Sequence, residues 1–372
     1  MRKILIVTHW FYPRSNPRAF RSFELYRELN KDNDVDVLIG DWQLFLKSQD
    51  DYHEKLDRYN SQMIFNKNEK LSNSSLIQIC KKIVQYFLGE RYILSSGKFI
   101  NDNIDLDKYD AVISIGLPFY IHLLVARKIA QCKKKIISIS DWGDPFVGDK
   151  ARKLAPYFGR LQKYVCNMFD YVVTPTSTAI EYYTNFTSID KIKVIPQGFR
   201  MNNVKIAKLE RHSCPHFAYA GIFYEDKRNP TKLLEYLTSV DKNFKFTIYT
   251  IKHGDIYNKI LKKYKEILRE KLIINDIIPR DECIYELSKN DFLINIDNLS
   301  SVQIPSKLID YGLTKRPILS FRQNEIPVDR FEEFFAGVYD NRRWIDLEEY
   351  DITCVSKKFI DLIDEMNMTK GE

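Results

Sequence analysis

The chain has 372 residues, of which 44% are hydrophobic and 29% charged, a balance that excludes a disordered chain and, at this length, predicts two globular domains. The six cysteines form no CxxC pair, which argues against a disulfide framework or a zinc site and is typical of the reducing cytoplasm. No apolar run reaches the length of a signal peptide or of a membrane-spanning helix.

The net charge of +7 is unevenly distributed. Residues 1–200 contain 30 Lys and Arg against 22 Asp and Glu, whereas the remainder contains 27 against 28. A basic half suggests a surface that meets anionic material, and nucleic acid, an acidic membrane or a phosphorylated substrate would each account for it. A solvated basic surface without a partner is the plainer interpretation.

Short apolar runs rich in β-branched residues predict a parallel sheet in the first half. The run KILIVT (3–8) predicts a buried strand, a helical pattern covers 17–29, and 35–39 predicts the next strand. Strand, helix and strand at this spacing form a βαβ unit, in which the sheet is buried on both faces. Further strands are predicted at 111–115, 136–139, 171–173 and 192–195.

Residues 41–104 interrupt this alternation, because they are polar and aromatic with one clear amphipathic helix at 75–88. The apolar side of that helix predicts that it covers the sheet. Its alternative interpretation is an interfacial contact with a membrane.

The lysine-rich, aperiodic segment 200–214 predicts a linker, and a second alternation of strands and helices follows it. Strands are predicted at 217–220, 246–249, 272–274, 292–296 and 317–321, and helices at 229–238, 255–270, 281–289 and 304–313. A last helix at 355–368 has one apolar face. The sequence therefore predicts an α/β protein with two Rossmann-like doubly wound domains, 1–199 and 215–354.

Ligands of open α/β sheets bind beyond the carboxyl ends of the strands. After the first strand, Arg18 and Arg21 share a face at the start of a helix, an arrangement suited to a phosphate. After the strand at 136–139, Asp141 and Asp144 lie in a Gly/Pro turn, where they could position or deprotonate a hydroxyl, or simply form the turn.

The second half offers two similar arrangements. Gly221 ends the strand at 217–220 and is followed by Lys227 and Arg228 before a helix start, which suits a diphosphate. Ser306, Lys307 and Asp310 open the helix after 292–296, where the lysine could reach a phosphate and the carboxylate could accept from ribose hydroxyls. A surface ion pair between the last two is the plainer interpretation.

Together these segments resemble the GT-B glycosyltransferases, and family 4 in particular. The first strand and its loop (ILIVTHWFYP), VIPQGF (194–199), FAYAGIFYEDKRNPTKLLEYL (217–237) and above all IPSKLIDYGLTKRPILSF (304–321) carry the resemblance. It implies two domains facing a cleft and a C-terminal helix, 355–369, that packs back on the first domain. It also implies hexosyl transfer from a nucleoside diphosphate sugar, with retention and without a metal or other cofactor.

The resemblance assigns roles residue by residue. Lys227, Arg228 and Lys307 would neutralise the diphosphate and Asp310 would bind ribose. The backbone at Ile278 and Pro279 would contact the base.

Two positions depart from the family pattern. Val302 stands where the first of two glutamates is expected, so that Ser301 or backbone N–H groups would have to contact the donor sugar. Asp141 stands near the place of a family histidine and is our candidate catalytic residue, with Arg18, Arg21 and Asp144 on the acceptor side.

The expected acceptor is a glycan or lipid-linked saccharide of surface polysaccharide synthesis, at the inner face of the plasma membrane and without nucleic acid. A sugar-nucleotide 2-epimerase and an inactive GT-B subunit are the alternatives.

Overall fold

The structure, a computed structural model, describes residues 1–14, 16–41, 63–65, 83–149, 152–201, 204–210, 212–226, 228–297 and 306–368. The chain divides into two compact units. The N-terminal unit is Met1–Arg200 with Glu349–Glu372, and the C-terminal unit is Met201–Glu348. The helix expected at 75–88 is described only at 83–88, which is helical, and Lys227, Ser301 and Val302 lie outside the described residues.

The N-terminal unit is built on a parallel sheet. Its described strands are β1 (Lys3–Thr8), β2 (Asp34–Ile39), β3 (Met63–Phe65), β4 (Ala111–Ile115), β5 (Ile137–Asp141), β6 (Tyr171–Thr174) and β7 (Ile192–Val194). They are arranged in the order β3-β2-β1-β4-β5-β6-β7. The helices of this unit include α1 (Pro17–Leu29), α2 (Tyr92–Asn103), α3 (Phe119–Gln131), α4 (Phe158–Met168) and α10 (Ile352–Met368).

Helix α1 begins where the sequence predicts. The side chain of Asn16 accepts hydrogen bonds from the backbone N–H groups of Arg18 and Ala19, at 3.1 and 3.0 Å, and Pro17 occupies the first helical position. This cap fixes the first turn of α1 beyond the carboxyl end of β1. It thereby positions Arg18 and Arg21.

Both faces of the N-terminal sheet are buried, because its strands are apolar on both sides. Ile4 and Ile6 pack in one core with α1, and Val355 and Phe359 of α10 lie in the same core. Leu5 and its face neighbours pack in a second core with helices α3 and α4. The last helix of the chain is therefore part of the N-terminal unit.

The C-terminal unit repeats the plan with a smaller sheet. Its strands are β8 (His216–Ala220), β9 (Lys245–Tyr249), β10 (Leu272–Asn275), β11 (Phe292–Asp297) and β12 (Ile318–Arg322), in the order β10-β9-β8-β11-β12. Its helices include α5 (Thr231–Ser239), α6 (Lys262–Leu268), α7 (Arg280–Leu287), α8 (Ser306–Leu313) and α9 (Val328–Phe335), and α6 continues a π-helical turn at Ile256–Leu261.

The fold class predicted from the sequence is confirmed: both units are doubly wound α/β with parallel sheets. The sequence analysis missed β3, α2 and α9. In the part of the chain that the structure describes, no helix combines the length and the apolar character that crossing a membrane requires.

Candidate functional site

Each sheet has one point where the order of strand addition reverses. In the N-terminal unit β2 and β3 lie on one side of β1 and β4 lies on the other, and in the C-terminal unit β9 and β10 lie on one side of β8 and β11 on the other. Connections at such a point leave the sheet in opposite directions and open a crevice at the carboxyl edge, which is where ligands of these folds bind. The crevices lie beyond β1 and β4, and beyond β8 and β11.

Lys307 occupies the crevice of the C-terminal unit, in the first turn of α8. Its Nζ is buried and has no hydrogen-bond partner among the described residues, although it lies 4.6 Å from the ring centroid of Tyr219 and 5.9 Å from that of Tyr311. Burial, together with the nearby charges of Arg228 and Arg343, lowers the pKa of this ammonium to about 7, and the charge of Asp297 opposes that shift. An unpaired buried cation of this kind is unfavourable unless an anion joins it.

Two arginines add positive charge beside Lys307. The Nε of Arg228 is also buried without a hydrogen-bond partner among the described residues, and its guanidinium lies 5.1 Å from the ring centroid of Tyr224. Arg228 adopts a φ of 58°, an uncommon conformation for a residue with a side chain. Arg343 donates to the carboxylate of Asp297 at 2.7 Å, so one carboxylate only partly offsets three cations.

Gly221 lies at the carboxyl end of β8 with a φ of 136°, a conformation that favours glycine. Its N–H donates to the carbonyl of Tyr249 at 3.0 Å, which ties the loop to β9. Ser306 is the first residue of α8. The structure thus brings Gly221, Arg228 and Lys307 to one crevice, as the sequence analysis expected, and the placement of Lys227 and Ser301 stays a prediction.

Asp310 is engaged with an arginine that the sequence analysis did not single out. Arg280 donates to its carboxylate from Nε at 2.8 Å and from Nη2 at 2.6 Å. Burial raises the pKa of Asp310 and Arg280 opposes that rise. Arg280 opens α7 directly after the half-buried Ile278 and the exposed Pro279, so the pair joins α8 to the loop expected to contact a base.

In the N-terminal unit, Arg21 and Asp141 form a buried ion pair. Both side chains are 2% exposed, and Arg21 donates to the two carboxylate oxygens at 2.8 and 3.1 Å. Arg21 also donates to the backbone carbonyls of Ile195, at 3.3 Å, and Pro196. The carboxylate is held by its partner rather than directed at a substrate, so the geometry favours a positioning role for Asp141, and its catalytic role stays a prediction.

Arg18 and Asp144 lie near this pair. The half-buried guanidinium of Arg18 passes over Gly143, where a Cβ would come within 1.6 Å of Nη2. Burial lowers the pKa of Arg18, whereas the charges of Asp141 and Asp144 favour its charged form. The predicted acceptor-side residues are therefore brought together, and a side chain at position 143 would displace the guanidinium of Arg18.

Sequence reasoning missed Arg280, Arg343 and the ring of Tyr219. Arg343 lies in NRRW (341–344), a basic and aromatic cluster in a loop that no strand pattern marks. Arg280 follows Pro279 at a helix start, which is a local signal of the kind used for Arg18.

No protein-family model and no curated protein matches this sequence. Solved structures match it along nearly its whole length at low identity. The apo lipopolysaccharide outer core galactosyltransferase WaaB is 12% identical with a TM-score of 0.61, covering 98% of this chain and 99% of that one. HepE of Anabaena, solved with UDP-glucose, is 10% identical with a TM-score of 0.58 over 98% and 100% of the two chains.

The UDP-GlcNAc 2-epimerase of Neisseria meningitidis, solved with UDP-GlcNAc, is 14% identical with a TM-score of 0.57 over 98% and 100%. The fold of this chain is that of the GT-B glycosyltransferase structures.

Proposed function

We propose that this chain is a glycosyltransferase that moves a hexosyl group from a nucleoside diphosphate sugar to a hydroxyl of a saccharide acceptor. The observation that carries the proposal is the buried Nζ of Lys307, which lacks a hydrogen-bond partner among the described residues and lies with Arg228 at the crevice of the C-terminal sheet. A diphosphate supplies the negative charge that this arrangement lacks.

In the proposed reaction the bond between the anomeric carbon and the diphosphate oxygen breaks and a bond between that carbon and the acceptor oxygen forms. The proton of the acceptor hydroxyl passes to the leaving diphosphate. Negative charge then develops on the leaving diphosphate. Lys307, Arg228 and Arg343 would stabilise that charge, each contact contributing about 1.5–3 kcal/mol. In this proposal lysine and arginine take the part that a metal ion has in other transferases.

The pair of Arg280 and Asp310 marks the nucleoside end of the proposed site. The carboxylate would accept from ribose hydroxyls, and the backbone at Ile278 and Pro279 would meet the base. Arg280 holds the carboxylate in place through its Nε at 2.8 Å and its Nη2 at 2.6 Å.

For the acceptor we propose a glycan or lipid-linked saccharide of surface polysaccharide synthesis, held by the N-terminal unit. The similarity to WaaB, a lipopolysaccharide outer core galactosyltransferase, supports this choice. Exposed Ile83, Phe87 and Leu88 support a peripheral contact with the inner face of the plasma membrane. Membership of family 4, and with it retention, is part of the proposal.

The second candidate is a sugar-nucleotide 2-epimerase, which the similarity to the Neisseria enzyme supports. An epimerase converts its nucleotide sugar without an acceptor, whereas a transferase releases the nucleoside diphosphate in proportion to acceptor. An inactive binding subunit would do neither.

Release of nucleoside diphosphate separates these possibilities. The protein is incubated with UDP-glucose, UDP-GlcNAc or GDP-mannose, with and without a saccharide mixture, and the products are separated by chromatography. The transferase predicts acceptor-dependent release that is lost in Lys307→Met and kept in Lys232→Ala, which changes an exposed lysine paired with Glu235. A new nucleotide sugar formed without acceptor would identify an epimerase instead.

A further inference from the structure

A cavity lies at the crevice of the N-terminal sheet, and its lining does not include Arg21 or Asp141. Its volume is about 450 Å³. It is bounded by the loop after β1, by the segment after β4 and by the chain that leads into α2, so it occupies the point of strand reversal between β1 and β4. Its lining residues include Trp10, Glu90, Arg91, Tyr92, Pro118 and Arg152.

Aromatic rings form one wall of this cavity. The rings of Trp10 and Tyr92 meet edge to face with centroids 5.1 Å apart, and the ring of His9 packs against both at 4.4 and 4.5 Å. His9 is 2% exposed, and its Nδ1 lies 2.7 Å from the hydroxyl of Tyr120, which fixes the group. Ordered aromatic side chains with partly accessible faces provide large contact area at low entropic cost.

The charged residues of the cavity are mostly cationic at neutral pH. Arg152 donates from Nε to the carboxylate of Asp149 at 3.0 Å, and its positive charge favours the ionised form of Glu90. The exposed Arg91 lies 5.5 Å from the ring centroid of Tyr92, and its side chain has no hydrogen-bond partner among the described residues.

Glu90 carries only about half of a negative charge at neutral pH. Its carboxyl accepts a hydrogen bond from the backbone N–H of Tyr120 at 3.3 Å, in the first turn of α3. Burial raises the pKa of Glu90 to about 7, so about half of this carboxyl is protonated at neutral pH and can then donate a hydrogen bond.

We propose that this cavity binds an anionic saccharide, with a sugar ring against Trp10 and Tyr92 and its carboxylate or phosphate on Arg91 and Arg152. We identify this saccharide with the acceptor, an assignment that rests on the proposed function. Arg91 and Arg152 provide planar guanidinium groups suited to either anion, and the carboxyl of Glu90 adds a donor for an anionic or hydroxyl oxygen when it is protonated.

The test measures binding to the full chain by saturation-transfer difference NMR. The probes are trigalacturonate, which carries carboxylates, glucose 1-phosphate, which carries a phosphate, and maltotriose, which carries neither. We expect one of the two anionic probes to bind at least tenfold more tightly than maltotriose, and the stronger one identifies the source of the anion. Equal binding of all three probes would overturn the proposal.

Substitutions of lining residues test whether the saccharide binds in this cavity. Arg91→Ala should weaken binding of the anionic probe about fivefold and Trp10→Ala should weaken it further, whereas Lys98→Ala should change nothing, because Lys98 is 90% exposed and its ammonium pairs with Asp102. Unchanged binding in both cavity variants would overturn the proposal.

Lys307→Met keeps the two proposals apart. It should weaken binding of nucleotide roughly ten- to a hundredfold and leave binding of the saccharide intact. If UDP binds to the wild-type chain and no saccharide does, the cavity proposal fails and the proposed function stands. If the anionic saccharide binds and no nucleotide does, the cavity proposal stands and the proposed function fails.

Discussion

Arg21 and Lys307 are both cations near the start of a helix beyond the carboxyl edge of a parallel sheet, yet their surroundings differ. Arg21 donates to both carboxylate oxygens of Asp141 and to two backbone carbonyls. The Nζ of Lys307 is buried with two tyrosine rings beside it and no hydrogen-bond partner among the described residues. The N-terminal unit thus neutralises its buried cation internally, whereas the C-terminal unit leaves one that an anion would complete.

The difference shows why a cation at a helix start is an ambiguous signal. Arg21, like Lys307, is a cation near the start of a helix that follows a strand. In the structure, however, Arg21 pairs with Asp141 and helps to hold the loop that begins there. What separates a binding residue from a structural one is the presence of an internal carboxylate, which lies 120 positions further along the chain from Arg21. Substitution of Arg21 should therefore lower stability, whereas substitution of Lys307 should lower affinity for an anionic ligand.

The largest expected effect is on folding, in the N-terminal unit. Arg21→Ala leaves Asp141 buried and unpaired and should lower the free energy of unfolding by about 3–5 kcal/mol. Chemical unfolding followed by circular dichroism measures it. The double variant Arg21→Met with Asp141→Leu should recover most of the loss, and Lys98→Ala should lose at most about 1 kcal/mol. A loss of that small size for Arg21→Ala would contradict the structural role of the pair.

The next prediction concerns Lys307, where we expect affinity to fall and stability to be kept. Lys307→Met removes an unpaired buried cation, so the free energy of unfolding should stay the same or rise. Affinity for a nucleoside diphosphate should fall by about 1.5–3 kcal/mol, roughly ten- to a hundredfold, as measured by calorimetric titration. Loss of stability together with unchanged affinity would place Lys307 among the structural residues.

Glycine at position 143 should matter because of Arg18. Gly143→Ala puts a Cβ within 1.6 Å of the Arg18 Nη2 position, so the end of this flexible side chain has to move, and the free energy of unfolding should fall by about 1 kcal/mol. Gly159→Ala is the matched control, because a Cβ there meets nothing within 4 Å and the site is helical. That control should be neutral or raise stability by about 0.4–1 kcal/mol. Equal effects at both positions would mean that Arg18 does not depend on Gly143.

The smallest effect is on the pH dependence of binding. The free protein holds the pKa of Lys307 at about 7, and a bound diphosphate favours the charged ammonium. Affinity should therefore be highest below pH 7 and fall as pH rises above it, by at most about tenfold per pH unit. Titrations between pH 7 and 9 measure this, and Lys307→Met should show a flat profile. A wild-type affinity that is constant over this range would show that Lys307 stays charged or does not meet the ligand.

The sequence predicted most of the C-terminal unit well, because its strands are short apolar runs separated by clear helical patterns. The run 292–296 became Phe292–Asp297 and 272–274 became Leu272–Asn275. The segment before α3 could not be predicted in the same way. Helix α2 has a mixed sequence with Gly97 in its interior, and the apolar stretch that forms β3 is only three residues long.

The positions of the candidate site residues were predictable as far as local sequence marks them. Gly221, Arg228 and Lys307 were singled out because each follows a strand, and the cap at Asn16 placed α1 correctly. Partnerships across the fold were not predictable. Arg280 reaches Asp310 over 30 positions and Arg343 reaches Asp297 over 46, and no local pattern records either contact.

The most direct test of the central claim is a thermal-stability panel with UDP, GDP, ADP and CDP on wild type and Lys307→Met. A nucleotide present at 100 times its dissociation constant stabilises the protein by about 2.7 kcal/mol. We predict a rise in Tm with one nucleotide for wild type and a much smaller rise for Lys307→Met at the same concentration. No rise with any of the four, or the same rise in both proteins, would contradict the claim that Lys307 and its neighbours form a diphosphate site.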